Sequence, residues 1–254
     1  MAQLAIPQPA ARLGRAVGAP GAGSSVGGVA LVLPDGDPVS ARRPSSLAYV
    51  SVLPLARRLA RAGRDDGLVA HLVHYRGRGW NGGDARLAAD AEWALDEVVR
   101  RYGDVPVCLV GQGMGGRAAL RAAGHPAVNC VLSLAPWLPE DDLAATSEPV
   151  KQLVGRRVMI VHGTNDRRSD PELSFRLAAR AKKTNRDTCR FEVHSDGHAL
   201  RQHRFEVLNL AVDFVAGSLF AHPYARPVAD ALAAPPPLGL RMPLAAGFGK
   251  SLRA

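Results

Sequence analysis

The stretch Val105-Pro-Val-Cys-Leu-Val-Gly-Gln-Gly-Met-Gly-Gly-Arg-Ala-Ala-Leu120 decides the fold. Val105 to Val110 is a short apolar run rich in β-branched residues, which predicts a buried strand. Met114 to Ala123 is rich in Ala, Leu and Arg, which predicts a helix. Gly111, Gly113, Gly115 and Gly116 separate the two. So many glycines mean a backbone that turns sharply and packs closely on its neighbours.

The strand–turn–helix pattern repeats outward from there. Upstream, Val29-Ala-Leu-Val-Leu33 predicts a strand ending at Pro34-Asp35-Gly36-Asp37, and Leu68 to Tyr75 predicts a second. Between them Leu53 to Arg64 reads as an amphipathic helix with Leu55 and Leu59 facing inward. Asp84 is placed to cap a helix from Ala85 to Tyr102, on which Leu87, Ala91, Ala94, Leu95, Val98 and Tyr102 share one face. Downstream come strands at Asn129–Leu134, Val158–His162 and Arg190–His194, with helices at 171–183 and 203–219. This alternation predicts an α/β domain: a doubly wound, mostly parallel sheet of about six strands, helices on both faces, ligands at the strands' C-terminal ends. The domain spans 28–220. Residues 1–27, rich in Ala, Gly and Pro, read as a flexible arm, and 221–254, with Pro235-Pro236-Pro237, as an extended tail.

Gly111-Gln112-Gly113-Met114-Gly115-Gly116 resembles the nucleophile elbow of the α/β-hydrolases, in which a G-x-S-x-G turn lifts a serine to the top of a sheet. The outer glycines and the Met-Gly-Gly run-out are kept, and Gly113 stands at the serine's position. His162-Gly-Thr-Asn-Asp166 resembles the family's acid-bearing loop, and Ser195-Asp-Gly-His198 the loop that delivers its histidine. The order elbow, Asp, His is the family order. The resemblance implies a compact α/β-hydrolase fold in which Asp166 orients His198, while the Met114 N–H and the Gly36 loop serve an oxyanion position. Only Pro139 to Arg157 is available for a lid, which predicts a minimal lid and an open site. Asp141 or Asp142 is the alternative acid, and His194 the alternative histidine.

Gly113 offers no side chain for attack on a carbonyl. An elbow residue holds a strained backbone that costs a non-glycine about 1–3 kcal/mol, and glycine removes that cost. The missing side chain leaves a void with room for an ordered water. Other candidates for the nucleophile are weak: Cys108 lies back in its strand, Ser133 is inside another strand, and Asp35 sits on a neighbouring loop. Two readings follow. One is a non-hydrolytic or weakly active hydrolase-like protein that binds a small ligand bearing an acyl or carbonyl group. The other is a hydrolase or lyase in which His198, set by Asp166, acts as general base on water or substrate.

Composition narrows the field. Hydrophobic residues make up 47% of 254, as in a soluble globular domain. No apolar run approaches the ~20 residues needed to cross a bilayer, and no leader pattern opens the chain, so a cytoplasmic protein is expected. Cys108, Cys130 and Cys189 have no metal-ligand spacing, and neither metal nor cofactor is expected. The net charge of +9 comes from arginine, since only Lys151, Lys182, Lys183 and Lys250 are lysine. Arg, Ala, Gly and Pro share GC-rich codons, and the arginines are scattered in pairs such as Arg42-Arg43 without interleaved aromatics. That pattern argues against nucleic-acid binding and for a mild attraction to anionic small molecules.

Overall fold

The computed structural model describes residues 10–19, 25–140 and 148–249. The chain runs β1 (Arg12–Leu13), β2 (Gly28–Leu33), α1 (Ser46–Ala62), β3 (Leu68–His74), α2 (Arg86–Tyr102), β4 (Val107–Gln112), α3 (Met114–Arg121) and β5 (Val128–Leu134). It continues through β6 (Arg157–Gly163), α4 (Pro171–Thr184), β7 (Thr188–Val193), α5 (Arg204–Phe220), α6 (Arg226–Ala233) and β8 (Met242–Pro243). The strands form one sheet in the order β1-β3-β2-β4-β5-β6-β7-β8. All neighbours are parallel except β1, which runs antiparallel to β3.

Alternation within the strands divides the core in two, because successive side chains point to opposite faces. Val29, Leu31, Leu109 and Val131 pack with α2, α3 and α4 residues such as Leu95, Leu120 and Leu177. Ala30, Val32, Val110 and Leu132 pack on the other face with Leu55, Leu59, Leu210 and Phe214 from α1 and α5. Cys108 and Cys130 are register partners in the middle of the sheet and are fully buried.

Several expectations are corrected. The sheet has eight strands, because two-residue strands close each edge of the six long ones. Both lie in segments expected to be irregular. In the N-terminal arm, Arg12 and Leu13 pair with His74 and Val73, and Leu13 is buried. In the C-terminal tail, α6 buries Val228 and Ala231, and Met242 pairs with Phe191. Segments without periodicity of their own are recruited to cover edges that would otherwise be left unpaired. Helix α1 begins at Ser46, ahead of the expected Leu53, and carries Pro54 inside it. Asp84 does not cap α2; Ala85 holds that position in the left-handed region, and Asp84 pairs with Arg86.

The strand order reverses between β2 and β4: the chain leaves β2 for β3 on one side and β4 for β5 on the other. At such a switch point the loops diverge and open a crevice beyond the strands' C-terminal ends. Asp35 and Gly113 follow these two strands. Asp166 follows β6 and His198 follows β7, at the same edge.

Candidate active site

The turn after β4 is fixed by close backbone contacts. A Cβ on Gly111 would strike the Gly115 carbonyl, and a Cβ on Gly115 would strike the carbonyls of Leu33 and Pro34. Only glycine allows β2, β4 and the start of α3 to approach this closely. Gly113 sits at φ 57° and ψ −120°, where an L side chain is strained. Its N–H donates to the Leu134 carbonyl at 2.9 Å, and its own carbonyl accepts from the Trp137 N–H at 3.0 Å. These bonds hold the turn whatever residue occupies it.

The volume above Gly113 is filled. A Cβ built there would collide with the carboxylate of Asp35. Asp35 Oδ1 accepts from the Met114 N–H and from the Gly36 N–H, both at 2.8 Å. These are the two groups expected to serve an oxyanion, and they converge on one oxygen of the protein itself. The expected void with an ordered water is therefore an aspartate carboxylate. Gly36 is needed for this approach, since a Cβ there would lie 2.6 Å from the Arg78 carbonyl and 2.7 Å from Leu87 Cδ1. On the outer side, Arg168 Nη1 donates to Asp35 Oδ2 at 2.7 Å and Nη2 to the Gly36 carbonyl at 3.0 Å. Burial works against the ionised carboxyl of Asp35. His198, the Met114 N–H and Arg168 outweigh it and hold the pKa below the usual value.

Asp166 anchors the other half. Its side chain is buried, and Oδ1 accepts from the N–H groups of Arg168 at 2.8 Å and Ser169 at 3.1 Å. Oδ2 lies 2.8 Å from His198 Nδ1 and 3.0 Å from His162 Nε2. Burial keeps the His162 pKa below its ordinary value despite Asp166, so His162 is the neutral donor of the pair. Burial also opposes the charge on His198, but the carboxylates of Asp166 and Asp35 overcome it and push its pKa up to about 9. Its Nε2 is buried without a hydrogen-bond partner and faces Asp35 Oδ2 at 3.7 Å. His198 is thus an imidazolium at neutral pH, set between two carboxylates. With Arg168 the four groups balance to zero charge, which is why removing the His198 proton is costly.

Sequence-predicted residues Gly113, Met114, Gly36, Asp166 and His198 all meet at this edge. His194 is exposed just beyond β7 and takes no part. Asp141 and Asp142 lie outside the described residues. The connection from β5 to β6 holds a short turn at Lys151–Leu153 within its described part. Sequence reasoning missed Asp35, His162 and Arg168 as members of the site. Asp35 carried a signal: it follows a strand at the same sheet edge as the others. Beside the turn, Gln112, Leu134, Ala199 and Leu200 line a small cavity of about 50 Å³, room for little more than one small group. Among the described residues no cluster of His, Cys, Asp and Glu is arranged to hold a metal, and no helix is long and apolar enough to cross a membrane.

No family model matches the sequence, and no curated protein matches it. Solved structures do resemble it. An α/β serine hydrolase without a lid from Xanthomonas campestris superposes with a TM-score of 0.60 at 17% identity, over 84% of this chain and 90% of that one. An esterase of Pyrococcus furiosus gives 0.58 at 14% identity, over 77% and 82%. An α/β serine hydrolase homologue from Coxiella burnetii gives 0.54 at 16%, over 81% and 91%. At such identities the likeness speaks for architecture alone: this chain has the α/β-hydrolase fold.

Proposed function

We propose that this protein is a non-hydrolytic relative of the α/β serine hydrolases, in which Gly113 replaces the nucleophile and Asp35 occupies the site from within. One observation carries the reading. The Asp35 carboxylate takes both the volume a serine side chain needs and the two N–H groups an acyl oxyanion needs. Acyl-enzyme chemistry needs a nucleophile and free oxyanion donors, and here neither is available. A small acyl or carbonyl ligand has to displace Asp35 before its oxygen can reach Met114 and Gly36. The reading of His198 as a general base at neutral pH is disfavoured, because a base must be unprotonated and this imidazole titrates at about 9.

A fluorophosphonate probe, which reacts with activated serines, tests this directly. No serine adduct is expected at neutral pH, and stoichiometric labelling of any serine would contradict the reading. The complementary test rebuilds the site. Asp35→Ala with Gly113→Ser frees the donors and supplies a hydroxyl beside His198. A gain of about 10²–10⁴-fold on an activated short-chain ester is expected, because triad members act as a unit. Gly113→Ser alone is expected to gain little, since Asp35 still holds the donors.

A further inference from the structure

A surface cavity of about 500 Å³ is lined by the loops after β2 and β3 and the start of α2, and none of the residues around Gly113 lines it. Its walls carry Arg42, Arg43, Arg76 and Arg86, with Ser40 and Asn81 between them. In sequence these arginines belong to separate, scattered pairs or singles. The fold gathers them from the loop after β2, the loop after β3 and the start of α2.

We propose that this cavity is a binding site for a small molecule bearing a phosphate or diphosphate group. Three observations support it. First, charge is left over. Arg76 binds Asp90, and Arg86 binds Asp84. Among the described residues the side chains of Arg42 and Arg43 have no hydrogen bond or ion pair. Guanidinium groups fit phosphate oxygens in pairs of parallel hydrogen bonds, which makes arginine the preferred residue for such anions.

Second, the walls are pinned to each other. The Ser40 N–H donates to Asn81 Oδ1 at 2.9 Å, and Asn81 Nδ2 returns a bond to the Ser40 carbonyl at 3.1 Å. The Arg78 N–H donates to the Arg42 carbonyl at 3.0 Å, and the Trp80 N–H to the Asp37 carbonyl at 2.8 Å. Asn81 itself sits in the left-handed region at φ 61°, which asparagine adopts more readily than other side-chain-bearing residues. The backbone that presents Arg42 and Arg43 is ordered before any ligand arrives, which lowers the entropy lost on binding.

Third, the molecule contains its own comparison. Arg57, Arg61 and Arg64 line a cavity of about 310 Å³, but Arg57 and Arg61 project from α1 and Arg64 from the turn directly after it, so all three come from one stretch of chain. Among the described residues, the wall facing them is made of Val17, Gly18 and Ala19 and carries no guanidinium group. If charge alone governed binding, the two places would behave alike.

The test is calorimetric titration of the full chain with pyrophosphate at moderate salt. Saturable one-to-one binding is expected, weakened about tenfold or more by Arg42→Ala with Arg43→Ala. Arg61→Ala with Arg64→Ala should leave it unchanged. All four residues are surface side chains, so the variants are expected to fold, and an unchanged circular dichroism spectrum checks this. Absence of saturable binding overturns the site. Equal weakening by both double variants also overturns it, because the interaction would then be diffuse attraction to a basic surface. Succinate binding as tightly as pyrophosphate overturns the phosphate class.

Discussion

Asp166 and Asp35 approach the same histidine from opposite sides, one on the loop after β6 and one on the loop after β2. Each ends up ionised, with two N–H groups on Oδ1. They differ in how they are held. The N–H groups on Asp166 come from Arg168 and Ser169, two and three residues further on. Asp35 takes one from Gly36 next to it, but its other partners are Met114, 79 residues away, and Arg168, 133 residues away. Asp166 is fixed by its own turn. Asp35 is fixed by the meeting of three loops, and it reaches Gly113 because residue 113 has no side chain to exclude it.

Removing the locally held carboxylate should have the largest effect. Asp166→Ala leaves His162, His198 and two backbone N–H groups without their acceptor in a buried place. A loss of about 3–5 kcal/mol is expected, read by chemical denaturation. Loss below about 1 kcal/mol would mean that water replaces the carboxylate freely, and the contrast with Asp35 would be gone.

Titration sharpens the comparison next. The folded-state pKa of His198 lies above its ordinary value of 6.5, at about 9. The stability it contributes is complete below about 6.5 and is lost as the pH rises through about 9, a change of about 3 kcal/mol. Asp35 and Asp166 have lowered values, so their contributions are complete above the ordinary carboxylate range and are lost as the pH falls below it toward those lowered values. These three groups together therefore contribute most between about pH 5 and 6.5, whereas His162, kept neutral by burial, loses stability as the pH falls below about 6.5, which places the overall maximum near the upper end of that window. Proton NMR of His198 should show titration near 9 in the native protein and at lower pH in Asp35→Asn, where one facing charge is gone. The same midpoint in both would remove Asp35 from the electrostatics of the site.

The difference between the two aspartates also explains what could be read from sequence. The long strands and helices were legible because apolar periodicity is a property of contiguous residues. Asp166 and His198 were legible because each sits in a short loop directly after a strand, where the α/β resemblance expects an acid and a histidine. The edge strands β1 and β8 were not, since two residues carry no period and their pairing depends on a neighbouring edge that needs covering. Asp35 was visible as a residue on a neighbouring loop, but its place in the site was hidden. Nothing within that loop shows that its carboxylate turns toward Gly113 and that Met114 and Arg168 wait for it there.

The central claim is that the Asp35 carboxylate stands where a side chain at 113 would stand, and thermal melts of four proteins test it most directly. They are the native chain, Gly113→Ser, Asp35→Ala and the double variant. In the native background Gly113→Ser is expected to cost roughly 2–4 kcal/mol, from the strained backbone and the collision with Asp35 together. In the Asp35→Ala background only the strain remains, so the same change should cost about 1–2 kcal/mol less, and that difference is the coupling between the two positions. Equal cost in both backgrounds would mean that Asp35 does not occupy the space above Gly113, and the account of a site filled from within would be wrong.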